Sequence, residues 1–230
     1  MKVYAILTAA GTGSRYYKHN KNTSQLPKQF IEFQNKPVFL YSLLILQKCR
    51  FINDILITAD EKYFDLIHKL ASENRITKLT HLVEGGKTRF QSVRNAFRQI
   101  KADPSDMVLI HDAVRPNITL QFVNGIIESA LKYGNVIPGI NIRETVKKDR
   151  NGFVKETIER SNLWIIQTPQ VFKFGDLTAS YKVTKGRTDF TDESSMVENA
   201  GYKVKLAEGF TGNIKITTPE DITLLKKLMS

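Results

Sequence analysis

Short apolar runs alternate with amphipathic segments through the first 139 residues, and this alternation constrains the fold more than any other feature of the chain. The apolar runs fall at 3–8, 54–58, 80–84, 107–111 and 135–139. Between them, apolar residues recur at helical spacing over 38–49, 60–73, 88–101 and 119–133. Pro37 stands where the first residue of one helix is expected, and Thr119 can cap another. Strands separated by helices imply crossover connections, hence an α/β fold with a mostly parallel sheet flanked by helices. In such sheets, ligands lie beyond the carboxyl ends of the strands. That rule puts Gly11–Arg15 and His111–Arg115 on one rim.

Residues 141–167 break the pattern. Two polar segments, Arg143–Lys148 and Phe153–Ile158, flank Asp149-Arg150-Asn151-Gly152, a hairpin signal. The hairpin carries few core-grade residues, so it is expected to project. An isolated two-stranded ribbon is marginally stable. Exchange of arms between two subunits would support it, as would folding back onto the surface. Beyond it, Thr191-Asp192-Glu193 and Thr218-Pro219-Glu220-Asp221 read as helix starts, each with acids in the first turn. With no repeats and no linker, the expectation is one domain over 1–230, with 141–167 as a dimerisation arm.

Bulk properties narrow the function less. The chain has 230 residues and a net charge of +11, which favours anionic partners without choosing among them. Nucleic-acid binding is one reading of that charge. It calls for a basic stripe interleaved with exposed aromatics. Here Lys and Arg are dispersed and most aromatics sit in apolar patterns, so no nucleic-acid partner is expected. The single cysteine, Cys49, lies in an apolar stretch and reads as a buried thiol. His19, His68, His81 and His111 show no metal-ligand spacing. No apolar run approaches the ~18 residues of a membrane helix, so a cytoplasmic protein with no membrane partner is expected.

Candidate chemistry begins where the first strand ends, at Ala9-Ala10-Gly11-Thr12-Gly13-Ser14-Arg15. Glycines let backbone approach a ligand closely. Successive N–H groups can cradle an anion, and arginine adds a fork suited to phosphate oxygens. The segment lacks the third glycine of a dinucleotide fingerprint and the G-K-[ST] of a P-loop. An ordinary glycine turn is the competing reading. Pro27-Lys28-Gln29 offers a lysine that can reach back to bound phosphates, or a solvated surface lysine. Gly85-Gly86 leads into a segment bearing Arg89 and Ser92, which suits a nucleobase pocket or a plain turn. In His111-Asp112-Ala113-Val114-Arg115-Pro116 an acid ends a core strand, where it can bind a hydroxyl or a magnesium ion. No G-x-S-x-G elbow accompanies His111-Asp112, which argues against a hydrolase triad.

Taken in order, these blocks resemble the 2-C-methyl-D-erythritol 4-phosphate cytidylyltransferases of the non-mevalonate isoprenoid pathway. The resemblance continues through Glu156-Thr157-Ile158-Glu159-Arg160, Gln167-Thr168-Pro169-Gln170, Thr191-Asp192-Glu193 and Asn213-Ile214-Lys215-Ile216-Thr217, and so spans nearly the whole chain. It implies a Rossmann-like nucleotidyltransferase, homodimeric through an extended arm, that uses CTP and Mg²⁺. The alcohol phosphate would attack the α-phosphorus of CTP, giving a CDP-alcohol and pyrophosphate. By that likeness Ala9, Ala10, Gly11, Gly13, Gly85, Gly86, Arg89 and Ser92 hold CTP. Asp112, Arg115, Thr145, Arg160, Thr168, Thr191 and Lys215 surround the sugar phosphate, Arg15 and Lys28 stabilise charge on the transferring group, and Arg15, Lys28, Arg160 and Lys215 together are the catalytic cations. The chain departs from the family in a longer stretch over Tyr16–Pro27 and in Glu144, where aspartate is usual.

The chemistry is consistent with these residues. The attacking phosphate is already an anion and needs no general base. Catalysis must come from positioning and from neutralising charge on phosphoryl oxygens. The nearest rival is a ribitol-5-phosphate cytidylyltransferase, which shares the fold and CTP. Those enzymes tend to carry Ala-Gly-Gly where this chain has Ala9-Ala10-Gly11, and they lack the Leu163-Trp164 setting.

Overall fold

The computed structural model describes residues 1–17, 26–185, 187 and 189–229, the side chains of 14 and 15 excepted. β1 (Val3–Thr8) is apolar from Val3 to Leu7 because both of its faces are covered. Successive side chains of a strand point to opposite faces. Ala5 and Leu7 therefore join one core, while Tyr4 and Ile6 join another. The first core is closed by α2 (Val38–Lys48), α3 (Phe64–Glu73) and α5 (Leu120–Tyr133). The second is closed by α4 (Arg89–Phe97), α6 (Phe174–Val183) and α7 (Glu193–Asn199). The result is a helix–sheet–helix sandwich.

β4 (Asp54–Ala59), β5 (Leu79–Glu84) and β6 (Met107–Asp112) run parallel with β1 in the order β5-β4-β1-β6. All four therefore end at one rim. These strands and helices match the expected alternation closely, although α4 stops at Phe97 rather than 101. Pro37 precedes α2 as its cap residue rather than occupying its first turn. It lies in the small hairpin of β2 (Glu32–Phe33) and β3 (Lys36–Pro37), which follows the short helix α1 (Ser14–Tyr17). Thr119 caps α5, accepting from Phe122 N at 3.1 Å.

The rest of the sheet is mixed. β7 (Asn135–Asn141) is separated from β6 by β11 (Gln170–Lys173), which is antiparallel to both. β10 (Trp164–Ile166) also runs antiparallel to β7, and β12 (Val204–Glu208) runs parallel to it. Among the described residues, β8 (Val146–Arg150) and β9 (Phe153–Ile158) pair only with each other, as the expected ribbon, with Asn151 and Gly152 at positive φ in its turn. The ribbon is narrower than the 141–167 span, since Asn141 pairs with Trp164 inside the main sheet. Asp192 caps α7, accepting from Ser195 N at 3.0 Å, and Pro219 opens α8 (Pro219–Leu228). Ile216 and Leu225 pack with Tyr16, Phe33, Val38 and Val114 in a third apolar cluster. Ile216 N donates to Val114 O at 2.9 Å, which brings the segment around Lys215 to the rim.

Candidate active site

At the rim, the chain leaves β1 through Ala9 and Ala10 into an open glycine loop. A Cβ on Gly11 would meet nothing within 4 Å, so the loop leaves room on that side, and Gly13 has φ +74°. Gln29 fastens the loop from behind, donating through Nε2 to Ala9 O and, at 2.9 Å, to Gly11 O. The second glycine pair crowds against the first. A Cβ on Gly85 would lie 2.1 Å from Ala10 Cβ, so glycine is required for the two loops to meet. Ser92 holds that turn: its Oγ accepts from Gly86 N at 3.0 Å and donates to Thr88 O at 3.0 Å. Together these groups border a cleft of about 460 Å³, which Lys28, Arg89, Asp112 and Lys215 also line.

Asp112 is the electrostatic hub. It sits opposite Thr8 in the strand register, 6 % exposed, at the carboxyl end of β6. Arg89 Nε donates to Oδ1 at 2.8 Å, Lys215 Nζ donates to Oδ2 at 2.6 Å, and Arg115 Nε stands 3.8 Å from Oδ2. Burial alone would raise the Asp112 pKa. The three cations outweigh it, Arg89 most, and hold the carboxyl well below its usual range. Asp112 therefore stays ionised. Arg89 also donates through Nη1 to the fully buried Glu193 at 2.6 Å. Lys28, nearly buried, donates to Ile216 O at 2.6 Å, which sets its ammonium beside the Lys215 segment.

Behind the hub, Asp112 N donates to Thr168 Oγ1 at 3.1 Å. Arg115 O can only accept, so His111 Nε2, 3.2 Å away, carries the ring proton, and Nδ1 accepts from the Thr168 hydroxyl at 2.9 Å. Burial pushes the His111 pKa down to about 4, so the ring is neutral. It faces the protein interior and supports the rim rather than any triad. Arg115 turns inward too, donating to Asn213 O at 2.7 Å.

The structure thus gathers Ala10, Gly11, Gly13, Gly86, Lys28, Arg89, Ser92, Asp112 and Lys215 around one cleft, with Ala9 and Gly85 immediately behind. Thr168 and Arg115 are buried beside it. Thr145, Arg160 and Thr191 are exposed and do not line it. Arg160 Nη1 donates to Arg143 O at the base of the ribbon. Arg15 lies on α1, and its side chain is outside the described residues, as are positions 18–25 of the long 16–27 stretch. Thr8, Gln29 and Glu193 carried no expected role. Gln29 was visible in the Pro27-Lys28-Gln29 block, but its partners are backbone carbonyls that only the fold brings near.

A resident metal site does not emerge. Among the described residues, no three His, Cys, Asp or Glu side chains converge on a metal-binding position. Asp112 is the carboxylate lining the cleft, and each of its oxygens already accepts from a cation. This donor set does not fit a magnesium cage. Nor is any helix among the described residues long and apolar enough to cross a membrane.

Residues 3–230 match the family model described as 2-C-methyl-D-erythritol 4-phosphate cytidylyltransferase. Enzymes of that name from Clostridium acetobutylicum and Lysinibacillus sphaericus are similar over nearly their full lengths. The first is 38% identical over 97% of this chain and 97% of its own; the second is 35% identical over 96% and 93%. Among solved structures, 4-diphosphocytidyl-2C-methyl-D-erythritol synthase from Anaerococcus prevotii superposes with a TM-score of 0.83 at 28% identity, covering 99% of this chain and 96% of that one. The 2-C-methyl-D-erythritol 4-phosphate cytidylyltransferase of Francisella tularensis gives 0.82 at 26% identity, covering 99% and 100%.

Proposed function

The chain belongs to the 2-C-methyl-D-erythritol 4-phosphate cytidylyltransferase family, and on that premise we propose that its cleft transfers CMP from CTP to 2-C-methyl-D-erythritol 4-phosphate, releasing pyrophosphate. The protein is a nucleotidyltransferase. The observation that carries the assignment of roles is the convergence of Lys28 and Lys215 on a glycine-lined cleft whose one carboxylate, Asp112, is already neutralised. A cleft of that sign suits a triphosphate meeting a second phosphate.

The steps follow from the residues. Backbone at Gly11–Gly13 and Gly85–Gly86 lies close enough to follow the nucleotide, with Ser92 and Gln29 keeping both loops in place. Lys28 offsets charge on the transferring phosphoryl group, as does Arg15 by family likeness. Lys215, held by Asp112, orients the incoming alcohol phosphate. That phosphate displaces pyrophosphate from the α-phosphorus, and no protein base is needed. A magnesium ion brought with the triphosphate would neutralise part of its charge, and Lys28 and Lys215 would supply the protein's share.

We also propose a homodimer in which ribbons cross. Among the described residues the β8–β9 ribbon pairs with no other strand, and Phe153 at its turn is 80% exposed. Thr145 and Arg160, at its base, lie outside their own cleft, consistent with their completing the partner's site. A soluble, cytoplasmic enzyme fits this chemistry.

The test is pyrophosphate release from CTP and Mg²⁺ with each alcohol phosphate supplied separately. Turnover with 2-C-methyl-D-erythritol 4-phosphate supports the proposal. Faster release with ribitol 5-phosphate overturns it.

A further inference from the structure

The contact between Arg89 and Asp112 has an unexpected shape. A guanidinium facing a carboxylate usually engages it through two parallel N–H bonds. Here Arg89 gives Asp112 a single bond, Nε to Oδ1 at 2.8 Å. Its Nη2, the nitrogen on the same side as Nε and so the second prong of such a contact, is buried with no acceptor among the described residues, while Nη1, on the other side, donates to Glu193 Oε2 at 2.6 Å. The second Asp112 oxygen is thereby left to Lys215, at 2.6 Å.

Glu193 is well placed to do this. It is the first residue of α7, fully buried, and anchored on both sides. Asp192 caps the helix and accepts from Gln170 Nε2 at 2.8 Å, tying α7 to β11. Met196 and Val197 bury the same helix in the second core. Glu193 itself lines no part of the cleft.

We propose that Glu193 is a positioning residue for the transfer: by holding the Arg89 guanidinium through Nη1 it keeps Nη2 off Asp112 Oδ2, leaves that oxygen to Lys215 and so fixes the Lys215 ammonium at the cleft. This rests on the cytidylyltransferase reading given above. Without Glu193, Nη2 turns onto Asp112 Oδ2 and competes with Lys215 for that oxygen, so the ammonium moves away from its place at the cleft. Misplacing a group by about 1 Å can cost on the order of a hundredfold in rate.

The experiment compares Glu193→Gln, Lys215→Ala and the double variant. Glu193→Gln is expected to lower kcat about tenfold to a hundredfold with the KM for CTP little changed. In the Lys215→Ala background, the same substitution should add less than about twofold, because the group it positions is gone. Full additivity would overturn the proposal, as would an unaltered kcat. A crystal structure of Glu193→Gln gives a readout independent of turnover: Arg89 bidentate on Asp112, with Lys215 beyond hydrogen-bond distance, is the expected result. An unchanged Lys215–Asp112 contact overturns it. Glu193→Asp, which withdraws the carboxylate by one methylene, carries the same comparison should the glutamine variant not fold. Failure of the wild-type enzyme to use either alcohol phosphate would instead count against the functional reading, leaving the crystallographic result to decide the role of Glu193.

Discussion

Individual side chains at the rim divide into those that face the cleft and those that hold the rim in shape. Lys28 belongs to the first group, although it is only 8% exposed. Its ammonium is anchored to Ile216 O and offers positive charge to the cleft without mobility. Lys28→Ala should lower kcat about 10²–10³-fold, with a cooperative melt retained by circular dichroism. Near-normal turnover would remove Lys28 from the mechanism. His111 belongs to the second group. Its folded pKa, about 4, lies below the ordinary value of 6.5. The stability it contributes is therefore complete above pH 6.5 and is lost as pH falls towards 4, because the unfolded chain takes up the proton first. The loss is about 3 kcal/mol across that window. Urea denaturation at pH 7 and pH 4.5 measures it: His111→Gln should lose clearly less stability over that interval than the wild type. Equal losses would show that His111 is not the group responsible.

At the scale of elements, local signals and long-range pairing had unequal weight. Thr119, Asp192 and Thr218 mark helix starts through bonds spanning three residues, so a short window of sequence contains the whole interaction. The Asn151-Gly152 turn is legible for the same reason, since both residues adopt the positive φ that the turn demands. β11 was not legible as a strand between β6 and β7. Its four residues owe their extended form to partners about 60 positions upstream, at Met107–Ile110. The ribbon has its own consequence. Phe153→Asp combined with Val154→Asp places charge on its most exposed apolar residues. Sedimentation should then show monomer in place of dimer, with a lower kcat if Thr145 and Arg160 serve the neighbouring site. An unaltered dimer would mean that the ribbon turn is not the contact.

For the molecule as a whole, the cleft is assembled from segments nearly the full chain length apart: Gly11 from the first loop, Gly86 from the second, Asp112 from β6 and Lys215 from the approach to α8. The alternation of apolar runs determined the helix–sheet–helix sandwich, because periodicity and burial on two faces are properties each segment carries by itself. The order of motifs determined the family, and with it the set of residues worth watching. What the sequence could not decide was which of those residues are free to meet a ligand. Arg89, expected beside the nucleotide, lines the cleft and at the same time spans Asp112 and Glu193. Thr168 was expected at the sugar phosphate and directs its hydroxyl to His111. Asp112, read from sequence as a ligand of a hydroxyl or of magnesium, turns both of its oxygens to cations of the chain. Each of these outcomes depends on hydrogen-bond partners 23 to 104 positions away. Residue type and spacing carry no record of such partners; the packing of the sheet and its helices creates them.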